Sequence, residues 1–107
     1  MIWIEQNKNI GHIYEYDSKE IVFHMLQEKE IDKNAVGHYR ITTSCGCSSA
    51  KWDPKSKKLT VTYKAGEVPV HLVMEGAKAY TTTKYINITY KDGTTETLSF
   101  SATVNKK

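Results

Sequence analysis

Residues 85–104 read YINITYKDGTTETLSFSATV, and they carry the clearest indication of the fold. Apolar and polar side chains alternate on both sides of Asp92-Gly93, which is typical of strands with one buried face and one solvated face. Asp-Gly between two alternating runs is the strongest short signal for a β-hairpin, because a type I′ turn needs positive φ at both central residues. The side chains predicted to face inward are Ile86, Ile88, Tyr90, Leu98, Phe100, Ala102 and Val104.

Shorter runs of the same kind occur upstream of the hairpin. Residues 59–63 alternate after a turn at Asp53-Pro54, and we expect Leu59, Val61 and Tyr63 to point into the core. The other predicted strands are residues 2–4 as a short edge, 10–16, 38–43, and 70–74 as the most fully buried.

Residues 18–33 are ambiguous between a strand and a helix. The residues with a partly helical spacing are Ile21, Val22, Met25 and Leu26. As a strand, Ile21, Phe23 and Met25 share one face. We favour the strand, because the neighbouring elements are strands and Ile21-Val22-Phe23 is rich in β-forming residues. The polar residues 28–34 are then predicted to form a loop.

About seven strands with short polar connections indicate an all-β fold, namely an immunoglobulin-like antiparallel β-sandwich. A length of 107 residues suits one domain that spans residues 1–107. The residues predicted to be buried together in its core are Phe23, Ile41, Val61, Ile88, Leu98 and Phe100.

Composition and charge argue against several classes of function. The net charge is +3, and Arg40 is the only arginine among fifteen basic residues. Nucleic-acid binding calls for a clustered basic face, so no nucleic-acid partner is expected. No apolar run approaches the length of a membrane span. The first residues lack the features of a signal peptide, so we expect a protein made in the cytoplasm.

The one motif with chemical potential is Thr43-Ser44-Cys45-Gly46-Cys47-Ser48-Ser49. Two thiols could share a metal ion, since thiolates suit Zn²⁺ or Cu(I), but structural zinc sites usually space their cysteines more widely. We expect Cys45 and Cys47 to be reduced thiols at a tight turn, with metal binding and redox chemistry as alternatives. No catalytic residue, cofactor or small-molecule substrate is predicted.

Aromatic residues are the candidates for a contact surface. Ile2, Trp3 and Ile4 form a short apolar terminal segment that is able to pair with a partner strand. Tyr80, Tyr85 and Tyr90 offer amphipathic contact area elsewhere. Their alternative role is to form a strand with a wet side. We expect Trp52 to pack over the turn that follows it or to cap the core; an exposed Trp52 would instead mark a contact surface.

The Ser44-Cys45-Gly46-Cys47-Ser48 motif and its strand context resemble a bacterial family of immunoglobulin-like domains of unknown function, akin to Hydin-like and major-sperm-protein-like domains. Gly11-His12-Ile13 and Ile21-Val22-Phe23 match the early strands of that family. The chain departs from it at Glu28-Lys29-Glu30 and at Lys57-Lys58. The resemblance implies a sandwich fold and an interaction role.

Three function classes remain open at this point. The favoured class is a structural interaction module, most specifically an auxiliary (decoration) protein that docks in many copies on the major capsid protein of a phage, and is therefore located in the virion. This last step is an analogy at the level of the fold. The alternatives are a cytoplasmic protein that binds and inhibits a host enzyme, and a metal or redox protein that uses Cys45 and Cys47.

Overall fold

Seven strands and one short helix make up residues 2–107, the part of the chain that the computed structural model describes. The elements are β1 (Asn7–Tyr14), β2 (Ser18–His24), β3 (Ile41–Thr43), β4 (Ser48–Asp53), β5 (Lys58–Lys64), α1 (Val70–Met74), β6 (Ala79–Thr89) and β7 (Thr95–Asn105). A four-stranded sheet has the order β1-β7-β6-β3, and a three-stranded sheet has the order β2-β5-β4. The predicted all-β sandwich of seven strands is confirmed.

Four of the five strand pairs are antiparallel, as predicted. The fifth pair, β1 with β7, is parallel, and its register shifts between Asn9 and His12. A parallel pair needs a long connection, and here nearly the whole domain lies between the two strands. Gly11 adopts a φ of 76° at the irregularity, a conformation that suits glycine.

The core lies between the two sheets and contains the side chains that alternation placed there. All the residues predicted to face inward on β5, β6 and β7 are buried, and so is Tyr90, which follows β6. Phe23 is also fully buried, and the rings of Tyr63 and Phe100 meet with centroids 5.2 Å apart. Ile41 is the exception to the predicted core, because β3 is an edge strand and leaves it only half-buried.

The hairpin between β6 and β7 forms where it was predicted, but its turn differs. Only Gly93 has a positive φ, of 89°, whereas Asp92 does not. The N–H of Gly93 donates to the C=O of Tyr90, and the N–H of Tyr90 donates to the C=O of Thr94. This is the three-residue loop in which a type I turn ends in a left-handed glycine, so the predicted type I′ turn is wrong.

The ambiguous segment forms strand β2, as favoured, with Ile21, Phe23 and Met25 buried on one side. Residues 70–74, in contrast, form α1 instead of a buried strand, and none of its residues is fully buried. The helix begins after Pro69, whose C=O accepts the N–H of Leu72 and of Val73. It ends at Met74, and Gly76, just beyond the C-cap residue Glu75, has a φ of 90° that permits a closing turn.

The strands near the N-terminus and before the cysteines have other bounds than predicted. The first strand covers Asn7–Tyr14, and the third covers only Ile41–Thr43. The segment before β3 makes isolated bridges, between Lys33 and Tyr39 and between Ile31 and Tyr90. Residues 2–4 contribute a single bridge from Trp3 to Met25.

Candidate docking surface

The N-terminal segment does not provide the apolar contact surface that its sequence suggests. Trp3 is completely buried, and its indole Nε1 donates a 2.8 Å hydrogen bond to the hydroxyl of Tyr90. Ile2 is half-buried, and only Ile4 is exposed, at 51%. The bridge from Trp3 to Met25 extends the sheet beside β2 and turns the indole into the core. Trp3 is therefore a core residue, and the prediction of a contact role for it is wrong.

The three candidate tyrosines do not share a face either. Tyr80 in β6 and Tyr90 directly after it lie at even positions, which point toward the core, and Tyr90 is 1% exposed. Tyr85 lies at an odd position and is 48% exposed on the opposite face. Since side chains alternate between the two faces of a strand, these residues cannot form one recognition surface. Only Tyr85 remains available for contact.

Cys45 and Cys47 are joined by a disulfide, so the prediction of two reduced thiols is wrong. Their Cα atoms lie 5.3 Å apart, within the range that a disulfide spans. The bonded pair sits where the chain crosses from β3 in one sheet to β4 in the other. Within residues 2–107, no group of three or more His, Cys, Asp or Glu side chains is placed to hold a metal ion.

One lateral side of the sandwich, between β1 and β2, is bridged by lysine side chains. The ammonium group of Lys8 on β1 donates to the C=O of Val22 on β2. In return, Lys19 on β2 donates to the C=O of Ile10 on β1, at 2.7 Å. On this side, side-chain donors already occupy edge carbonyl groups that an added strand would need.

The opposite side, between β3 and β4, leaves the edge of β4 open. The N–H of Lys64 donates to the C=O of Cys47, so this pair is hydrogen-bonded across β4 and β5. In an antiparallel ladder, hydrogen-bonded pairs alternate with pairs whose backbone groups point away. With Ser48 opposite Tyr63 in the register, Ala50 and Trp52 fall in the second class. Their N–H and C=O groups point away from β5, with no partner among residues 2–107.

A groove follows this edge, and we call it the β3/β4 groove. Its cavity of about 330 Å³ is lined by His38, Tyr39, Ile41, Ala50, Lys51 and Trp52. Tyr39 and Trp52 also line an adjoining cavity of about 240 Å³. Trp52 is half-buried, and its ring meets the buried ring of Trp3 edge to face at 5.7 Å. The groove therefore combines unpaired backbone groups with aromatic and aliphatic side chains that pack on the core, and its exposed lining is more polar than apolar.

The charges around the β3/β4 groove are mainly positive. Lys51 lies in the middle of the β4 edge, and Lys33 stands over the ring of Tyr39, 5.1 Å from its centroid. Neither lysine forms an ion pair within the described chain. The nearby acidic groups have basic partners: Asp32 pairs with Arg40 at 3.0 Å. Glu28 and Glu30, which line the adjoining cavity, pair with Lys57 and Lys91.

The carboxylate of Asp53, at the end of β4, also has partners, which are hydrogen-bond donors in the following turn. Hydrogen bonds from the side chain of Ser56 and the backbone N–H of Lys55 lower the pKa of its carboxyl group. Its oxygens are thereby directed into the following turn and away from the groove.

Comparisons with protein-family profiles, with curated proteins and with solved structures find no match for this chain. No helix among residues 2–107 is long and apolar enough to cross a membrane.

The β3/β4 groove was not predicted from the sequence, although part of its signal is local. The run Ser48-Ser49-Ala50-Lys51-Trp52 alternates in exposure, with the even positions half-buried. Alternation can suggest such a strand, but only the topology shows that it lies at an edge. Trp52 was expected to pack over a turn or to cap the core, and it packs against the core while also lining the groove.

Proposed function

We propose that this chain is a non-enzymatic protein-docking module that uses the β3/β4 groove. The observation that carries the proposal is the contrast between the two sides of the sandwich. Lysines bridge the β1/β2 side, whereas the β4 edge offers the outward backbone groups of Ala50 and Trp52. Proteins normally cover or block such edges unless a partner strand uses them.

The groove has the two kinds of group that bind an extended peptide segment. Backbone N–H and C=O groups supply affinity for an extended segment, and apolar pockets beside them supply selectivity. The cavity beneath the edge is lined by Tyr39, Ile41 and Trp52, which are able to receive an apolar side chain. Aromatic residues of this kind are enriched at the energetic centres of protein interfaces.

The partner that we propose is the shell of a phage capsid, on which this domain serves as an auxiliary protein in many copies. The edge is short, since β4 has six residues, so a single contact is expected to be weak. If copies of the domain are linked to one another on the shell, each bound copy holds its neighbour near its own site. The overall avidity then exceeds the affinity of a single contact. The resemblance to Ser-Cys-Gly-Cys immunoglobulin-like domains, with their implied interaction role, belongs to the same proposal.

The experiment is to purify particles from cells that make the chain and to quantify it against the major shell protein by mass spectrometry. We expect a fixed stoichiometry for the parent. The variant Ala50→Pro removes an outward N–H without breaking the β4–β5 ladder, and we expect it to be depleted from particles. Lys78→Glu is the control, because Lys78 is exposed and precedes the end of β6 that is remote from β3. We expect this variant to stay on the particles in the same amount as the parent.

Absence of the parent chain from particles would contradict the capsid proposal. If the chain were instead found in a one-to-one complex with a host enzyme, the inhibitor alternative would replace it. Equal amounts of the Ala50→Pro variant and the parent on particles would contradict docking through the β4 edge.

A further inference from the structure

We infer that the segment received by the β3/β4 groove is an extended peptide strand with alternating acidic and apolar side chains. The inference rests on the proposed docking function and names the chemistry of its partner. Two features support it: the direction of the free backbone groups on β4, and the sign of the charge beside them.

The backbone geometry selects an extended segment. Ala50 and Trp52 present two N–H and two C=O groups in one row, spaced by two residues along β4. A strand laid beside them satisfies all four groups and becomes the fourth strand of the β2-β5-β4 sheet. A helix has no free backbone groups along its length to match this row.

The cavity selects an apolar side chain on one face of that strand. Ala50 and Trp52 point toward the core side, where Tyr39 and Ile41 complete the lining. Because side chains alternate, every second residue of an added strand faces the side chains of Tyr39, Ile41 and Trp52. The small side chain of Ala50 leaves room between the larger groups.

The remaining face of the added strand meets Lys51. This residue is exposed on the outer face of β4, between the two residues with outward backbone groups. Opposite charges directly across a strand pair are stabilising, and like charges are destabilising. Lys33, also free of ion pairs in the described chain, adds positive charge near Tyr39.

The same lysine disfavours a second copy of this chain as the occupant. If two β4 strands paired antiparallel with Ala50 opposite Trp52, Lys51 of each copy would face Lys51 of the other. An acidic partner strand removes this repulsion and gains an attraction. Charge complementarity therefore favours a strand from a different, acidic protein segment.

The probe is an acetylated and amidated peptide of four Glu–Val repeats, titrated into the full chain at low ionic strength and followed by the amide resonances of the ¹⁵N-labelled protein. We expect shifts at Ala50, Trp52 and Tyr39. A Lys–Val peptide of the same length should bind about two- to fivefold more weakly. Lys51→Glu should reverse this preference, whereas Lys78→Glu should leave it unchanged.

Three outcomes would overturn the inference: equal binding of the two peptides, a preference that Lys51→Glu does not alter, and shifts that lie away from the groove. The first two leave docking at the β4 edge intact if Ala50→Pro still prevents binding. If Ala50→Pro binds both peptides as the parent does, the proposed docking surface fails as well. Lys51→Glu changes an exposed side chain, so the test does not depend on whether the proline variant folds.

Discussion

The indole Nε1 of Trp3 donates a 2.8 Å hydrogen bond to the hydroxyl oxygen of Tyr90, 87 residues further along the chain. The hydroxyl of Tyr90 donates in turn to the carboxylate of Glu96, which also accepts the side-chain amide of Gln6. Burial, and then the bond to Glu96, raise the pKa of Tyr90 far above its ordinary value. This network joins the N-terminal segment to the hairpin that closes the fold.

Replacing Tyr90 by Phe should therefore destabilise the domain. The change leaves the buried Trp3 N–H without an acceptor, which costs on the order of 1–3 kcal/mol. Urea unfolding of the variant and the parent measures the difference. Tyr14→Phe is the control, because Tyr14 is 56% exposed and should tolerate loss of its hydroxyl. Equal stability of Tyr90→Phe and the parent would show that the bond contributes nothing.

Phe100→Ala should remove a large part of the total stability. Phe100 is 1% exposed and packs against Tyr63 between the sheets. Truncating a buried Phe costs on the order of 3–5 kcal/mol. Tyr85→Ala, at an exposed position on the adjacent strand, should shift stability by no more than about 0.5 kcal/mol. Denaturant unfolding checks both values, and similar losses in the two variants would refute the inward face assigned to β7.

Glu15 should make stability depend on pH. Its buried carboxylate accepts the backbone N–H of Lys107 and of Val68, and these two bonds lower its pKa from the ordinary 4.5. A carboxyl group with a lowered folded pKa stabilises the fold above its unfolded pKa, and this contribution is lost as pH falls through the folded pKa. The difference in the free energy of unfolding between the parent and Glu15→Gln should therefore be largest at neutral pH.

The measurement for Glu15 is a series of urea midpoints from neutral to acidic pH, for both proteins. The other carboxyl groups are the same in the parent and in Glu15→Gln. Their effects therefore cancel when the two urea midpoints are subtracted. The difference should narrow as pH falls below about 4.5, the ordinary value. A difference that stays constant over this range would mean that ionisation of Glu15 does not stabilise the fold.

Reduction of the Cys45–Cys47 disulfide should loosen the crossover between the sheets without unfolding the core. The bond closes a very small loop, so the chain-entropy estimate of its contribution is only about 1–2 kcal/mol. Hydrogen exchange with and without a phosphine reductant should show faster exchange at residues 44–50 and unchanged exchange in β7. The double variant Cys45→Ser with Cys47→Ser should not respond to reductant. Faster exchange throughout the parent would contradict a local role.

The sequence was sufficient for the sheets but not for the docking surface. Alternation around Val61, Ile88 and Phe100 predicted the buried faces, because a period of two is a local property of a strand. The helix at residues 70–74 was missed, although Pro69 before it and Gly76 after it are recognisable start and stop residues.

Other features depend on contacts between distant residues. The burial of Trp3 depends on Tyr90 and Met25, which lie far away in sequence. The open edge depends on β4 having only one strand neighbour. No local pattern contains either fact, so a short apolar segment and a set of tyrosines were taken for the contact surface. The disulfide was missed because a bond between cysteines only two residues apart was expected to close a strained ring, and because reduced thiols were expected in the cytoplasm.

Photocrosslinking from β4 tests docking through the β3/β4 groove most directly. A benzophenone amino acid is placed at Lys51 on the open side or at Glu20 on the β1/β2 side, both exposed, and cells that make the chain are irradiated. We expect an adduct with one protein, identified by mass spectrometry, from position 51 but not from position 20. Adding Ala50→Pro should abolish the adduct from position 51. An adduct from position 20 alone, or one from position 51 that survives Ala50→Pro, would contradict docking through this groove.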